Sequence, residues 1–219
     1  EARDVGAADP VSFTLTAGER VAIVGPSGSG KSTIAAQLIR FLDPAGEVSF
    51  DGVSARDLAL DDVRCQVALV DDDPYLFATS VAENVRLARP GASDPEVADA
   101  LRVAGLGAWL DGVGLHTLIG AGHRDVSGGE RARLGLARAV LGAQPIVVLD
   151  EPVAHLDTAT AEAVTRDVLH ALAGRSIVWI THEEVGLTAM DRMVDLGTAA
   201  QARTNASPLS TGTARLTSS

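Results

Sequence analysis

Gly25-Pro26-Ser27-Gly28-Ser29-Gly30-Lys31-Ser32, or GPSGSGKS, is the stretch that decides the fold of this 219-residue chain. A short apolar run, Arg20–Val24, precedes it, and a helical pattern over residues 32–42 follows it. A glycine-rich turn with a Lys-Ser pair between a strand and a helix is the pattern of a phosphate-binding P-loop. An ordinary surface loop rich in glycine and serine does not require that pair at this junction. The sequence therefore favours a nucleotide site here.

The residues of this loop have separate expected roles. The glycines let successive backbone N–H groups face a β-phosphate, and the start of the helix adds positive potential. Lys31 is expected to bridge the β- and γ-phosphates, and Ser32 to give its hydroxyl to Mg²⁺. The predicted phosphate-binding residues are Gly25, Pro26, Ser27, Gly28, Ser29, Gly30, Lys31, Ser32 and Thr33.

A second motif joins a buried strand to two carboxylates. Residues 146–149, IVVL, are apolar and end at Asp150 and Glu151. We expect Asp150 to hold Mg²⁺ through water and Glu151 to polarise an attacking water molecule. Taken alone, the motif fits a strand end with two solvated acids equally well, but together with a P-loop it favours catalysis.

A third motif, VSGGE at residues 126–130, opens a helical pattern over 129–141. Ser127 is a good N-cap residue, and Gly128 and Gly129 allow a second phosphate to approach closely. Serine and glycines before a helix are common in loops, so the motif is weak by itself. A simple P-loop enzyme, however, has no need of a second phosphate-facing turn.

Composition excludes several classes of protein. Hydrophobic residues make up 46% and charged residues 21% of the chain, as in a soluble globular protein. The net charge of −11 disfavours nucleic acid as a partner, because phosphate backbones are repelled. A single cysteine, Cys65, excludes an intramolecular disulfide, and we expect it to be a half-buried thiol on a strand. No run of 18 apolar residues that could span a bilayer is present.

Strand and helix patterns alternate along the chain, which predicts a parallel sheet covered on both faces. Apolar runs predict strands at 12–15, 20–24, 47–50, 67–70, 146–149, 176–180 and 193–196, and helical spacing predicts helices at 32–42, 129–141 and 158–173. Residues 79–125 mix helical spacings with glycines and predict a small helical subdomain. Residues 197–219 have few large apolar side chains and predict a disordered tail. The chain starts at Glu1, without Met, so we expect a piece of a longer protein.

The motifs in this order resemble the nucleotide-binding domain of ABC transporters. GPSGSGKST, VSGGERARLGLARAV and IVVLDEP, followed by Asp157 and His182, carry the resemblance over roughly residues 10–196. It implies an α/β fold of the P-loop NTPase (ABC ATPase) type, with a parallel core sheet, an antiparallel β subdomain and an inserted helical subdomain at about 79–126. The implied domain is 1–196, and the implied ligands are ATP and Mg²⁺.

The resemblance also implies roles for residues outside the P-loop. Ser127, Gly128 and Gly129 would contact the γ-phosphate bound by a second, opposite domain, so that two composite ATP sites form at a dimer interface. His182 would be the switch histidine next to the γ-phosphate, acting with Glu151 in catalysis. Asp157 matches the loop that crosses the interface, and Asp72 takes the place of a metal-binding Q-loop glutamine.

Residues 73–77, DPYLF, and the later Glu83-Asn84-Val85 are similar to exporters in this family. The segments 70–73 and 152–157 are most similar to the CydC half of CydDC-type thiol exporters, which move cysteine and glutathione. The resemblance implies a motor domain at the cytoplasmic face of the membrane. Its expected partners are a second nucleotide-binding domain, in a heterodimer, and the membrane domains.

Three positions depart from the family pattern. Asp72 replaces glutamine and cannot donate a hydrogen bond to water. Glu130 replaces the usual glutamine of the signature and adds negative charge near the partner's phosphate. The aromatic residue that would stack on adenine is missing or replaced by aliphatic side chains such as Val5 or Val11, because Phe13 is poorly placed.

The alternative is a soluble ABC-type ATPase that acts on DNA or ribosomes. DNA-repair members carry a long coiled coil between the P-loop and the signature, whereas here Lys31 and Ser127 are 96 residues apart without sustained heptads. Ribosome-acting members carry two cassettes in one chain. A P-loop kinase would leave the VSGGE motif unexplained.

Overall fold

The structure, a computed structural model, describes residues 11–44, 46–154 and 156–197, and the backbone of 213–216. The strands are β1 (Thr14–Leu15), β2 (Arg20–Val24), β3 (Glu47–Phe50), β4 (Val53–Ser54), β5 (Val67–Val70), β6 (Thr79–Ser80), β7 (Leu118–Ile119), β8 (Ile146–Asp150), β9 (Ser176–Thr181), β10 (Arg192–Asp195) and β11 (Thr213–Leu216). The helices are α1 (Lys31–Leu38), α2 (Leu60–Gln66), α3 (Val81–Arg86), α4 (Asp94–Val103), α5 (Gly107–Val113), α6 (Gly128–Leu141) and α7 (Thr158–Ala171).

The chain forms two compact units. The first, called the sheet unit, comprises Glu1–Leu69, Pro145–Asp150 and Gly174–Ser219. The second, called the helical unit, comprises Val70–Gln144 and Glu151–Ala173. Among the described helices, none is long and apolar enough to cross a membrane.

The sheet unit is built on a five-stranded sheet in the order β10-β2-β9-β8-β5. The pairs β10–β2, β2–β9 and β9–β8 are parallel, as the apolar runs predict. Val21, Ile23, Val148, Val178 and Ile180 from these strands form one buried cluster with Ile34, Ala35 and Leu38 of α1. Burial of this α1 face holds the loop before the helix against the sheet.

A second sheet has the order β1-β11-β3-β4. β3 and β4 are antiparallel and are joined by Asp51-Gly52, both with positive φ (50° and 79°), as a tight hairpin requires. β11 lies between β1 and β3 and pairs in parallel with both, so the sheet is mixed. The strand at 213–216 differs from the disordered tail predicted for 197–219, most of which lies outside the described residues.

The helical unit contains α3, α4 and α5 in the region predicted as a helical subdomain. α6 packs on α3 and α4, and α7 packs on α4 and α6. The compact unit is therefore larger than the predicted span of about 79–126, because α6 and α7 share its core.

Two local predictions were wrong. Cys65 is an exposed residue of helix α2, not a half-buried strand residue. The helix was missed because Val63 is its only buried side chain, so its apolar period is weak. The helix predicted over 32–42 ends at Leu38, and Arg40 turns the chain with a left-handed φ of 52°.

Candidate nucleotide-binding site

The strand register brings the predicted residues of the sheet unit to one edge of the core sheet. Val24 of β2 lies opposite Thr181 of β9, and Asp150 of β8 lies opposite Ile180. Gly25 and His182 directly follow the paired ends of β2 and β9. Because the strands are parallel, these residues and Asp150 share the carboxyl edge, where open α/β sheets bind ligands.

The loop between β2 and α1 has a backbone that only glycine adopts easily. Gly28 and Gly30 have φ of 81° and 93°, in the left-handed region. A Cβ added to Gly25 would lie 2.8 Å from the Ser29 Oγ and 3.1 Å from the Leu196 Cβ. The glycine spacing of the motif is thus required by turn geometry and, at Gly25, by close packing against Leu196, the residue after β10.

Lys31 is the first residue of α1, and its side chain is only 8% exposed. Its Nζ donates to the carbonyl oxygens of Gly25 and Pro26 at 2.7 and 3.1 Å. The ammonium group is therefore held over the loop that the helix follows. Ser32, the next residue, is exposed, and Thr33 is half-buried.

The N-terminus of α1 carries no acidic residue of its own. Its N-cap is Gly30, which has no side-chain cap hydrogen bond, and its first turn contains no acidic residue. The N-terminus of an α-helix presents backbone N–H groups that have no partner within the helix, and it is the positive end of the helix dipole. This end of the helix is suited to an external anion such as a phosphate.

Asp150 ends β8, whose five residues are all buried, and is itself only 4% exposed. A carboxylate this far from solvent requires a cation or hydrogen-bond donors nearby. The donor set fits Mg²⁺, since Ser32 and Asp150 both offer hard oxygen atoms on the same unit. The described residues contain no group of three His, Cys, Asp or Glu side chains that could hold a metal. Mg²⁺ bound through one or two carboxylates and substrate phosphates needs no such group.

Asp72, the other predicted metal ligand, is exposed in the loop after β5 and belongs to the helical unit. Its role toward a metal stays a prediction.

Glu151 is joined to Asp150 in sequence and has φ of 48°, which is uncommon for a residue other than glycine. It precedes the buried Pro152, and a residue before proline favours an extended backbone over a helical one. Such a conformation costs roughly 1–3 kcal/mol and occurs often at active sites. The strain supports a functional reason for a glutamate at this position.

The end of β9 presents His182 to solvent. Thr181, the last strand residue, is buried, and its Oγ1 accepts a hydrogen bond from the Glu183 backbone N–H at 3.0 Å. This bond turns the chain immediately after the strand and leaves His182 exposed at the carboxyl edge.

The signature residues have a local structural role in the helical unit. Ser127 is the N-cap of α6, and its Oγ accepts from the Glu130 backbone N–H at 3.3 Å. The Glu130 carboxylate accepts from the Ser127 backbone N–H at 2.8 Å. This reciprocal pair is a capping box, in which glutamate and glutamine serve equally. Gly128 and Gly129 form the first turn of the helix.

Asp157 also has a local role. It is the N-cap of α7, and its Oδ1 accepts from the Thr160 backbone N–H at 3.0 Å. Hydrogen bonds from the Thr160 side chain and then from backbone N–H groups lower the pKa of Asp157. The carboxylate is exposed and ionised, and its predicted contact across an interface stays a prediction.

The structure thus brings together Gly25–Thr33, Asp150 and His182 in the sheet unit, and places Asp72, Ser127–Gly129, Glu151 and Asp157 in the helical unit. Phe13 is only 4% exposed within the core and is unavailable for adenine, in line with its poor placement in the sequence. Val11 packs against the same core, and Val5 lies outside the described residues.

The sequence interpretation missed the polar pair Asn84 and Arg138. Asn84 is fully buried and hydrogen-bonded to Arg138. An asparagine and an arginine on otherwise apolar helix faces were the available signal.

Comparison with known proteins gives a consistent result. The family model for ABC transporters matches residues 8–154. The chain is 45% identical over 130 residues to the ATP-dependent lipid A-core flippase of Neisseria meningitidis serogroup A, covering 58% of this chain and 21% of that protein. It is 40% identical over 188 residues to the glutathione/L-cysteine transport system ATP-binding/permease protein CydD of Bacillus subtilis, covering 84% of this chain and 32% of that protein.

Among solved structures, a bacterial Atm1-family ABC exporter with ATP bound superposes with a TM-score of 0.75 at 31% identity, covering 87% of this chain and 38% of that one. The predicted fold class, a P-loop ABC ATPase with a parallel core sheet, is confirmed. The chain spans about a fifth to a third of the length of the curated relatives described above. With the family model covering most of its length, this chain belongs to the ABC transporter family.

Proposed function

We propose that this chain is the ATP-binding and ATP-hydrolysing motor domain of an ABC exporter. The observation that carries the proposal is Lys31. It is the only lysine among 219 residues, all other basic side chains apart from histidine being arginine. Its compact ammonium is buried at the carboxyl edge of the sheet and is held by two loop carbonyls. A single lysine at this one junction fits a phosphate-binding point charge.

Within the sheet unit, the loop and the open N-terminus of α1 would bind the triphosphate. Lys31 would exchange its two carbonyl acceptors for β- and γ-phosphate oxygens. Ser32 and Asp150 would hold Mg²⁺, the latter through water, with Asp72 as a further oxygen donor. Bound Mg²⁺ neutralises charge that develops on the phosphates during transfer.

Glu151 is proposed to accept a proton from the attacking water, and His182 to stabilise the γ-phosphate from the end of β9. An ionised carboxylate is an acceptor only, as a general base must be. The strained backbone of Glu151 supports this role, because a glutamate in the left-handed region has no evident structural advantage there.

The proposed partners are a second nucleotide-binding domain and the membrane domains of an exporter. Ser127, Gly128, Gly129 and Asp157 would face the nucleotide of the second domain. The exporter relatives and the Atm1-family neighbour support this over a soluble ATPase acting on DNA or ribosomes. The site of action would be the cytoplasmic face of the membrane. Two exposed aromatic residues, Tyr75 and Phe77, are the proposed contact with a membrane domain.

The transported substrate is proposed only as a class. Similarity to CydD and to the CydC pattern supports a thiol such as cysteine or glutathione. The residues encoded before Glu1 give a simple check, since about six spans of roughly 20 apolar residues each would indicate an exporter half.

The test of nucleotide binding uses Lys31. Isothermal titration with MgATP is expected to give binding for the wild type and none for Lys31→Ala. In parallel, reductive methylation can modify only Lys31 and the terminal amine of the chain, and the masses of proteolytic peptides distinguish the two sites. MgATP is expected to slow methylation of Lys31 at least tenfold while leaving the terminal amine unchanged. Equal titration curves, or equal methylation with and without MgATP, would refute the assignment.

A further inference from the structure

Residues 73–77 run along one face of the signature helix α6. Positions 131, 135 and 138 of this helix are four and three residues apart and so share a face. They contact three successive residues of the segment. The Arg131 Nη1 lies 3.4 Å from the Asp73 Oδ1, and Gly135 packs on Pro74. The Arg138 Nη1 donates to the Tyr75 carbonyl oxygen at 2.9 Å. A Cβ at Gly135 would lie 2.8 Å from the Pro74 Cγ, so only glycine permits this approach.

Asn84 joins the segment to Arg138. It is fully buried, and its amide nitrogen donates to the carbonyl oxygens of Phe77 and Ser80 at 3.0 and 3.1 Å. Its Oδ1 accepts from the Phe77 backbone N–H at 2.9 Å and from the Arg138 Nη2 at 3.1 Å. All hydrogen-bonding positions of the amide are used. The Arg138 Nε donates to the Asn84 backbone carbonyl at 2.8 Å, which completes a three-pronged contact.

Two aromatic side chains of the segment that this network fixes are exposed to solvent. Pro74 and Leu76 are buried, while Tyr75 and Phe77 are 69% and 50% exposed. The two rings meet edge to face with centroids 4.9 Å apart. Burial lowers the pKa of Arg138, and its three described acceptors are neutral oxygen atoms. A partly buried guanidinium with neutral partners fits a role in fixing geometry, for which its rigid fork is suited.

We propose that Arg138 is a positioning residue that locks the aromatic segment to the signature helix, so that displacement of Tyr75 and Phe77 is passed to the turn at Ser127–Gly129. The segment packs on α6, and the turn lies at the start of the same helix. Residues 127 and 138 are about 16 Å apart along the helix. The inference rests on the proposed function, because it takes the aromatic pair as the contact with a membrane domain. Arg138 itself touches neither the P-loop nor the signature residues in any described contact.

The local part of the inference can be tested on this chain. Tyr75 is the only tyrosine, so incorporation of 3-fluorotyrosine gives one ¹⁹F resonance from the segment. Arg138→Gln is expected to shift or broaden this resonance and to speed exchange of the Phe77 amide at least tenfold. Arg138→Lys, which keeps the charge but loses the fork, is expected to be intermediate. Arg102→Gln, which changes an exposed arginine of the same unit, is the control and is expected to leave both signals unchanged.

The coupling part is tested in the transporter that contains this chain, reconstituted in lipid vesicles. Arg138→Gln is expected to keep the affinity of this chain for MgATP within twofold while reducing the stimulation of hydrolysis by the membrane domain at least fivefold, with a smaller loss for Arg138→Lys. If the glutamine variant does not fold, the lysine variant decides. Wild-type stimulation in a folded variant would overturn the inference. Failure of the wild-type chain to bind MgATP would instead overturn the proposed function.

Discussion

Two loops rich in glycine and serine precede helices in this chain, and they leave the helix ends in opposite states. The P-loop leads into α1 with Gly30 as an N-cap that makes no side-chain bond, and with no acid in the first turn. The signature turn leads into α6 with Ser127 and Glu130 bonded to each other's backbone. The first helix end is open to an external anion. The second already bonds its Glu130 N–H to the Ser127 hydroxyl and carries the Glu130 carboxylate in its first turn. Similar composition therefore does not imply similar affinity for phosphate.

The largest expected effect concerns ATP hydrolysis at the site built on the P-loop of this chain. Glu151→Gln removes the proton acceptor and leaves the phosphate loop intact, so we expect unchanged MgATP affinity and hydrolysis slowed by about 10²–10⁴-fold. The measurement is phosphate release by the assembled dimer under saturating MgATP. Hydrolysis at the wild-type rate in a competent dimer would show that Glu151 is not the base.

Placing a glutamate in the first turn of α1, as α6 has at Glu130, should weaken nucleotide binding. Thr33 occupies in α1 the position that Glu130 occupies in α6, three residues after the N-cap. Thr33→Glu is expected to lower MgATP affinity at least tenfold, or about 1.4 kcal/mol, relative to the neutral control Thr33→Gln. The reason is repulsion of phosphate and competition for the helix N–H groups. Equal titration curves for the two variants would break the comparison.

Removing the negative charge at the start of α6 should have a smaller effect. Glu130→Gln keeps a capping box but removes the charge. We therefore expect unchanged thermal stability and a few-fold faster hydrolysis at the site that this signature completes on the partner's P-loop. A rate unaffected by the substitution would mean that Glu130 serves only as a cap.

The smallest expected effect is on stability. Ser127→Ala removes the side-chain acceptor of the cap and is expected to cost about 1 kcal/mol. For a domain of this size that lowers the melting temperature by about 2–4 °C, measurable by circular dichroism. A Ser127→Ala chain as stable as the wild type would show that the capping box does not stabilise α6.

Much of the site was predictable because its residues sit at strand ends that short apolar runs define. Arg20–Val24 and Ile146–Asp150 could be recognised as buried strands, and parallel pairing brings their ends to one edge. The cap role of Glu130 was missed because a family comparison presents it as a departure from glutamine, although serine and glutamate three apart predict a capping box.

Other features depend on contacts between distant residues. The fork of Arg138 on Asn84 joins positions 54 residues apart, and no local period indicates that pairing. Helix α2 has one buried side chain and too weak an apolar pattern to be recognised. The left-handed φ of Glu151 could not be predicted either, because glutamate before proline favours an extended backbone.

On the proposed function, the P-loop face of this chain is equipped for hydrolysis, while its signature would serve the partner's site poorly. In isolation we expect a monomer with feeble ATPase activity, since a net charge of −11 on each chain adds repulsion to a site that needs two domains. The direct measurement is made on the reconstituted heterodimer, with the catalytic glutamate removed on one side at a time. We predict that Glu151→Gln abolishes most of the hydrolysis and that the same change at the partner's equivalent position removes little. The reverse pattern would mean that this chain carries the degenerate site, and would contradict the roles given to Glu151 and His182.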